Sequence, residues 1–108
     1  MNAQEMEFLQ TAFQQKTVLC NRSFLSCSLL VKVALAFHDM YVTYGSKVLF
    51  VIHMSFAKSR EFAYVRPYSK YPKEEEVVVR PYRRFTIDSI AFNNTYKATM
   101  VVLRPNYS

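Results

Sequence analysis

The sequence is poor in the residues that interrupt or loosen regular structure. Its 108 residues include one glycine, four prolines and no tryptophan, whereas 51% are hydrophobic and 16% are aromatic. This composition excludes a collagen-like chain, a flexible linker and a disordered chain, because a disordered chain would combine low hydrophobicity with high net charge. We therefore predict one folded domain over residues 1–108, with a core of modest size.

Disulfide and metal-ligand patterns are also missing from the sequence. Cys20 and Cys27 are the two cysteines, no Cys-x-x-Cys pair occurs, and His38 and His53 stand alone. A disulfide framework or a structural zinc site needs more cysteines or histidines at regular spacings. We therefore expect no disulfide framework and no metal cofactor.

Segments that would direct the chain to a membrane are not evident. Residues 1–15 are polar and have neither the basic start nor the apolar stretch of a signal peptide. The most apolar stretch, Phe24–Phe37, is interrupted by Ser26, Ser28 and Lys32 and is too short to cross a bilayer. The sequence therefore predicts a cytoplasmic protein without a membrane partner.

Acidic residues are outnumbered by basic ones. The 14 lysines and arginines stand against 8 aspartates and glutamates, which gives a formal net charge of +6. Such an excess favours anionic partners such as nucleic acid, phosphates or acidic membranes, without choosing among them. A basic surface with no such role fits the same count, so the charge leaves the partner open.

Hydrophobic spacing predicts two helices and several strands. Over residues 3–15 the apolar side chains recur on one face at the helical period. A second helix is predicted near residues 28–38, with Ser28 as its N-cap, and residues 58–73 are predicted to form an irregular loop. Strands are predicted near residues 17–20, 23–28, 47–56, 76–80, 84–92 and 96–104. The predicted fold class is therefore α+β and β-rich, with two N-terminal helices followed by mostly antiparallel strands.

Three consecutive acids, Glu74, Glu75 and Glu76, stand directly before the short apolar run Val77–Val79. If Glu76 opens a strand, Glu74 and Glu76 point to the same side, because side chains alternate along a strand. Two such carboxylates can stabilise a developing cation and accept a proton. A charged flank that protects an aggregation-prone strand accounts for the same residues.

A second polar feature is Ser26-Cys-Ser, in a predicted strand that leads into an apolar helix. Ser26 and Ser28 would point to the same side of that strand. Their hydroxyls can orient a carboxylate on a neighbouring strand by hydrogen bonding. A capping serine with an incidental neighbour is the simpler interpretation.

The order of these features resembles the C-terminal half of the arginine-specific mono-ADP-ribosyltransferases. In that family a Ser-x-Ser strand is followed by a helix with an Ala…Phe pattern, a hydrophobic strand and a loop that ends in Glu-x-Glu. The resemblance covers about residues 22–104. It rests on the segments Phe24-Leu-Ser-Cys-Ser-Leu, Val33-Ala-Leu-Ala-Phe, Val48-Leu-Phe-Val-Ile and Tyr71-Pro-Lys-Glu-Glu-Glu-Val-Val-Val-Arg-Pro-Tyr-Arg-Arg-Phe.

This resemblance implies an NAD-dependent transfer of ADP-ribose to a protein arginine, with release of nicotinamide. NAD would be the substrate, and no metal would take part. The resemblance implies that Glu76 is the catalytic glutamate, which binds a ribose hydroxyl and stabilises the transition state. Glu74 would engage the guanidinium of the acceptor. Ser26 would position Glu76 and NAD, and Ser28 would support the strand.

The chain departs from the family pattern upstream of Ser26. The family's NAD-binding arginine lies on a strand well before the Ser-x-Ser motif, whereas the sole arginine before Ser26 here is Arg22, in a different context. Cys27 also stands where the family normally has threonine. Three interpretations stay open: a degenerate, truncated domain, a partner chain that supplies the missing half, and a homodimer.

A non-catalytic basic binding module is the alternative function. Basic residues and tyrosines are interleaved around the three acids, and such patterns bind single-stranded nucleic acid through phosphate contacts and base stacking. The residues concerned are Lys58, Arg60, Tyr64, Arg66, Tyr68, Lys70, Tyr71, Lys73, Arg80, Tyr82, Arg83 and Arg84.

Overall fold

Two helices and seven strands form the described part of the chain, a mixed α/β fold. The structure is a computed structural model that describes residues 2–41, 47–52, 62–64 and 76–106. In chain order the elements are α1 (Ala3–Gln14), β1 (Leu19–Cys20), β2 (Leu25–Ser28), α2 (Val31–Tyr41), β3 (Val48–Ile52), β4 (Phe62–Tyr64), β5 (Glu76–Val79), β6 (Arg84–Asn93) and β7 (Ala98–Pro105). The predicted mixture of helices and strands is confirmed, but β1 and β2 separate the two helices in the chain.

Helix α1 begins at a capping box and buries its apolar face. The Asn2 side chain accepts a hydrogen bond from the Glu5 backbone at 2.8 Å, and the Glu5 carboxylate accepts one from the Asn2 backbone at 3.2 Å. Leu9 and Ala12 are buried, as the helical spacing predicts. Helix α1 therefore contributes one face to the core.

Helix α2 begins three residues later than predicted, so the assignment of Ser28 as its N-cap is wrong. Ser28 is the last residue of β2, and its hydroxyl accepts a hydrogen bond from the Leu30 backbone at 3.0 Å. The Leu30 carbonyl in turn accepts from Val33 and Ala34, the first hydrogen bonds of the helix. Ser28 is thereby kept in the strand while it links that strand to the helix.

The larger sheet has the strand order β1-β6-β7-β3. Strands β1 and β7 pair with β6 in antiparallel orientation, whereas β3 and β7 run parallel. A β-bulge between Ile87 and Ser89 shifts the register of β6 against β7. Because a bulge inserts one residue, the apolar alternation of Phe85 and Ile87 resumes at Ile90.

The smaller sheet has the order β2-β5-β4 and is antiparallel throughout. Strand β4 lies inside the segment 58–73, so the prediction of an irregular loop is wrong for these residues. Phe62 and Tyr64 are residue types that favour strands, and pairing with β4 gives β5 a neighbour on its second edge. The other residues of that segment lie outside the described residues.

One buried cluster joins α1 to both sheets. Its members come from α1, from β6 and β7 of the larger sheet, and from β5 of the smaller sheet. They are Leu9, Ala12, Val79, Phe85, Ile87, Val101 and Leu103. The smaller sheet is thus held against the larger one by the same apolar burial that holds the helix.

Asn21 connects the start of β2 to the turn between β5 and β6. Its side-chain nitrogen donates to the carbonyls of Ser23 and Arg80 at 2.9 and 2.7 Å. Its side-chain oxygen accepts from the Arg83 backbone at 2.8 Å, and its carbonyl accepts from the Tyr82 backbone at 2.7 Å. The bonds to Arg80 and Arg83 join segments about sixty residues apart in sequence.

We expect Asn21→Ala to lower the free energy of unfolding by about 2 kcal/mol, because it removes three side-chain hydrogen bonds, one of them accepted from the part-buried Arg83 N–H. Urea denaturation followed by circular dichroism measures the change. Asn94→Ala is the matched control, because Asn94 is exposed in the turn after β6. Equal losses in the two variants would contradict a bridging role for Asn21.

Candidate active site

The candidate residues lie on the antiparallel pair formed by β2 and β5. Ser28 is paired with Glu76, and Ser26 with Val78. Directly opposed residues of an antiparallel pair project to the same side, and so do residues two apart in one strand. Ser26, Ser28 and Glu76 therefore share one face of the smaller sheet.

The opposite face of the same strands belongs to the core. Val77 and Val79 are buried, and Cys27 packs against the buried cluster. Side chains alternate between the two faces of a strand, so Ser26, Ser28 and Glu76 lie on one face, and Cys27, Val77 and Val79 lie on the core face. The polar face is held in place by the packing behind it.

Ser26 is hydrogen-bonded to Glu76. The Ser26 hydroxyl donates to Oε2 of the glutamate. The prediction that these two residues lie close together is confirmed. Since one carboxylate oxygen is engaged by a hydroxyl on the neighbouring strand, the carboxylate has a defined orientation.

Ser28 lies directly across from Glu76 and at the junction with helix α2. Its hydroxyl accepts from the Leu30 backbone, as described above. This bond links the end of β2, where Glu76 is paired, to the segment that begins α2. A direct contact between Ser28 and NAD remains a prediction.

The Cys27 thiol is part of the core face and not of the polar face. Burial raises the pKa of Cys27, and the nearby Glu76 carboxylate raises it further. A thiol with a raised pKa is protonated at neutral pH and is a poor nucleophile. Cys27 accordingly fills the middle of the Ser-x-Ser motif as a packing residue.

Glu74 lies outside the described residues, so its predicted position beside Glu76 stays a prediction. Glu76 is the first residue of β5, as that prediction assumed. Within the described ranges, no group of three or more histidine, cysteine, aspartate and glutamate side chains could hold a metal ion. Neither described helix is long and apolar enough to cross a membrane.

Exposed apolar side chains flank the polar face at both ends of β2, a feature that the sequence did not indicate. Leu29 and Leu30, directly after β2, are exposed although they are large and apolar. Phe24, directly before β2, is also exposed. Leu29 and Leu30 fall within the predicted helix 28–38, but α2 begins at Val31, so both lie outside the helix.

Solved structures resemble this chain along most of its length. ADP-ribosyltransferase HopU1 of Pseudomonas syringae pv. Tomato DC3000 matches 98% of the chain with a TM-score of 0.72 and 16% identity. ADP-ribosyltransferase Vis, solved in complex with M6 inhibitor, matches 84% of it with a TM-score of 0.61 and 26% identity. C3stau2 from S. aureus, solved with NAD, matches all of it with a TM-score of 0.67 and 12% identity.

The chain spans only part of each of these proteins, namely 41% of HopU1, 40% of Vis and 59% of C3stau2. No family model matches the sequence, and no curated protein matches it. Because the sequence identities are low, the similar backbone arrangement of these proteins is evidence for the fold alone. The chain therefore has the fold of the ADP-ribosyltransferases, over a part of their length.

Proposed function

We propose that this chain carries the Ser-x-Ser and Glu-x-Glu part of an arginine-specific mono-ADP-ribosyltransferase site. The reaction transfers ADP-ribose from NAD to a protein arginine and releases nicotinamide. The observation that supports it most directly is the hydrogen bond from Ser26 to Glu76, in a chain with the ADP-ribosyltransferase fold. This part of the chain corresponds to the C-terminal half of the family domain.

Glu76 stabilises positive charge in this proposal. When the bond between the ribose and nicotinamide breaks, its electron pair leaves with the nicotinamide and positive charge develops on the ribose. A carboxylate that is already oriented stabilises this charge without first having to reorganise. The Ser26 hydroxyl supplies that orientation by holding Oε2.

Glu74 acts on the acceptor in this proposal. A guanidinium nitrogen of the acceptor arginine forms the new bond to the ribose and must lose a proton. A carboxylate can hold a guanidinium by paired hydrogen bonds and accept that proton. The chemistry that distinguishes arginine from other acceptors therefore resides in Glu74 and not in Glu76.

A second polypeptide segment completes the NAD site in this proposal, supplied either by a partner chain or by a second copy of this chain. Among the described strands, β2 is an outer strand of the smaller sheet, and an exposed strand edge can pair with another chain. The exposed Leu29 and Leu30 lie beside that edge and beside Glu76. Burial of these leucines by such a segment would be favourable.

Incubation of the full chain with labelled NAD and polyarginine tests the proposed reaction. We expect label on polyarginine, little on polylysine, and release of nicotinamide. Release of nicotinamide without transfer would retain the role of Glu76 and reject arginine as the acceptor. If neither product forms, even though isothermal titration shows NAD binding, the domain is degenerate and the enzymatic proposal fails.

Ser26→Ala is expected to lower the rate of nicotinamide release about 10- to 100-fold, because a hydrogen bond to a charged group contributes roughly 1.5–3 kcal/mol. Ser26→Thr keeps the hydroxyl and should restore most of the rate. Ser23→Ala is the matched control, because Ser23 is an exposed serine before β2. A Ser26→Ala enzyme as fast as the parent would show that the hydroxyl does not position Glu76.

A further inference from the structure

Arginines and aromatic residues gather where the segment before β2 meets the turn between β5 and β6. We call these residues the arginine–aromatic patch; they are Arg22, Phe24, Arg80, Tyr82 and Arg84. Their backbones are brought together by Asn21, which bonds to Arg80 and Tyr82 at 2.7 Å each. The pairing of Cys20 with Arg84 adds the start of β6 to the same place.

The side chains of this patch are presented to solvent. Phe24 is 69% exposed and Tyr82 is 68% exposed, and the three arginines are exposed as well. Within the described part of the chain, no ion pair or side-chain hydrogen bond engages these three guanidinium groups. Asp88, four residues beyond Arg84, is instead paired with Arg104 at 3.5 Å. The positive charge of the patch is therefore uncompensated by its described neighbours.

Tyr82 is held in a backbone conformation that disfavours a large side chain. Its φ angle is +61°, in the left-handed region that glycine adopts without steric strain. Because its ring is mostly exposed, burial offers little compensation for this strain. Asn21 fixes the conformation by bonding to the Tyr82 backbone and, on either side of it, to Arg80 and Arg83. Strain maintained around an exposed aromatic ring points to a binding role.

We propose that the arginine–aromatic patch binds single-stranded nucleic acid. The guanidinium groups of Arg22, Arg80 and Arg84 would contact phosphates, and unpaired bases would stack on Phe24 and Tyr82. A duplex keeps its bases stacked on one another and would leave both rings without partners. An acidic membrane is a poorer fit, because the exposed Leu29 and Leu30 lie at the Glu76 end of β2 and away from the arginines.

Arg80 of this patch lies at the other end of β5 from Glu76. Glu76 and Val79 are the two ends of β5, and Arg80 follows Val79. At the rise of a strand, Glu76 and Arg80 are about 13 Å apart. Nucleic acid binding therefore does not depend on Glu76, and the Glu76→Gln variant should bind as well as the parent chain does.

Fluorescence anisotropy with a short labelled single strand of mixed sequence tests the proposal. For three phosphate contacts, the logarithm of the affinity should fall with the logarithm of salt concentration at a slope of about −2. Tyr82→Gly should weaken binding about 5- to 150-fold through loss of one stacked base. The same variant should unfold at an equal or higher urea concentration, because glycine relieves the left-handed strain.

Lys97 provides matched controls at the opposite end of β6. It is exposed and has a φ of +55°, so Lys97→Gly relieves the same kind of strain and Lys97→Gln removes one positive charge. We expect Arg80→Gln or Arg84→Gln to reduce the salt slope by about 0.7, and the Lys97 variants to bind like the parent. Equal effects at Lys97, unchanged binding by Tyr82→Gly, or binding to anionic phospholipid vesicles but not to the oligonucleotide would overturn the proposal.

Discussion

Replacing Glu76 with glutamine should lower both ADP-ribose transfer and NAD hydrolysis by about 10²- to 10³-fold, the usual effect of removing one preorganised electrostatic contact. The substitution keeps the volume of the side chain and its place at the start of β5 while it deletes the charge. Both reactions pass through cleavage of the bond to nicotinamide, so both should fall together. Rates of nicotinamide release and of label transfer from NAD measure the two effects.

Glu74→Gln is the informative companion of this variant. It should remove arginine transfer while it retains part of the hydrolysis, because water as acceptor has no guanidinium to hold. A Glu76→Gln enzyme with unchanged activity would contradict the enzymatic proposal altogether. Equal loss of both reactions in the Glu74→Gln variant would instead contradict only the division of roles between the two acids.

Leu9→Ala is expected to lower the free energy of unfolding by about 2–5 kcal/mol, the range for buried leucines. Leu9 is 5% exposed and, with Ala12, is one of two α1 residues in the buried cluster shared by both sheets. Its truncation removes apolar burial and leaves a cavity between the helix and the larger sheet. Urea denaturation of the parent and of Leu9→Ala measures the difference. The free energy of unfolding should fall with urea concentration at the same slope in both.

Phe8→Ala is the matched control for Leu9→Ala, on the neighbouring position of the same helix. Phe8 is 60% exposed, so its truncation should change the free energy of unfolding by no more than about 0.5 kcal/mol. If Phe8→Ala were as destabilising as Leu9→Ala, helix α1 would pack on the sheet through a different face from the one described.

Local periodicity was sufficient to predict most of the secondary structure. The face of α1 that carries Leu9 and Ala12 follows from a period of 3.6 residues, and the shared face of Ser26 and Ser28 follows from a period of two. These patterns depend on neighbours a few residues away, so a single sequence contains them. The start of α2 was misplaced because a serine before an apolar run fits both a strand end and a helix cap, and the pairing with Glu76 keeps Ser28 in the strand.

The contact between Ser26 and Glu76 depends on how distant strands pair. Fifty residues separate the two side chains, and a shift of one residue in the register of β2 on β5 would move every side chain to the other face. Periodicity does not specify such a register, and the expectation of this contact came from resemblance to a family. In the structure, the burial of Val77 and Val79 and the packing of Cys27 against the core select the register that presents Ser26, Ser28 and Glu76 on the other face.

The same distinction explains the features that no pattern predicted. Strand β4 was expected to be loop because the segment 58–73 is polar and basic and contains Pro67 and Pro72, whereas its pairing with β5 defines it as a strand. Nothing in the sequence distinguishes Asn21 from other polar residues between strands. Its bridging role follows from its hydrogen bonds to the β5–β6 turn. Composition and periodicity thus predicted both described helices and every described strand except β4. The polar face at Glu76 and the arginine–aromatic patch arise from contacts between distant segments, whose energies depend on packing across the whole core.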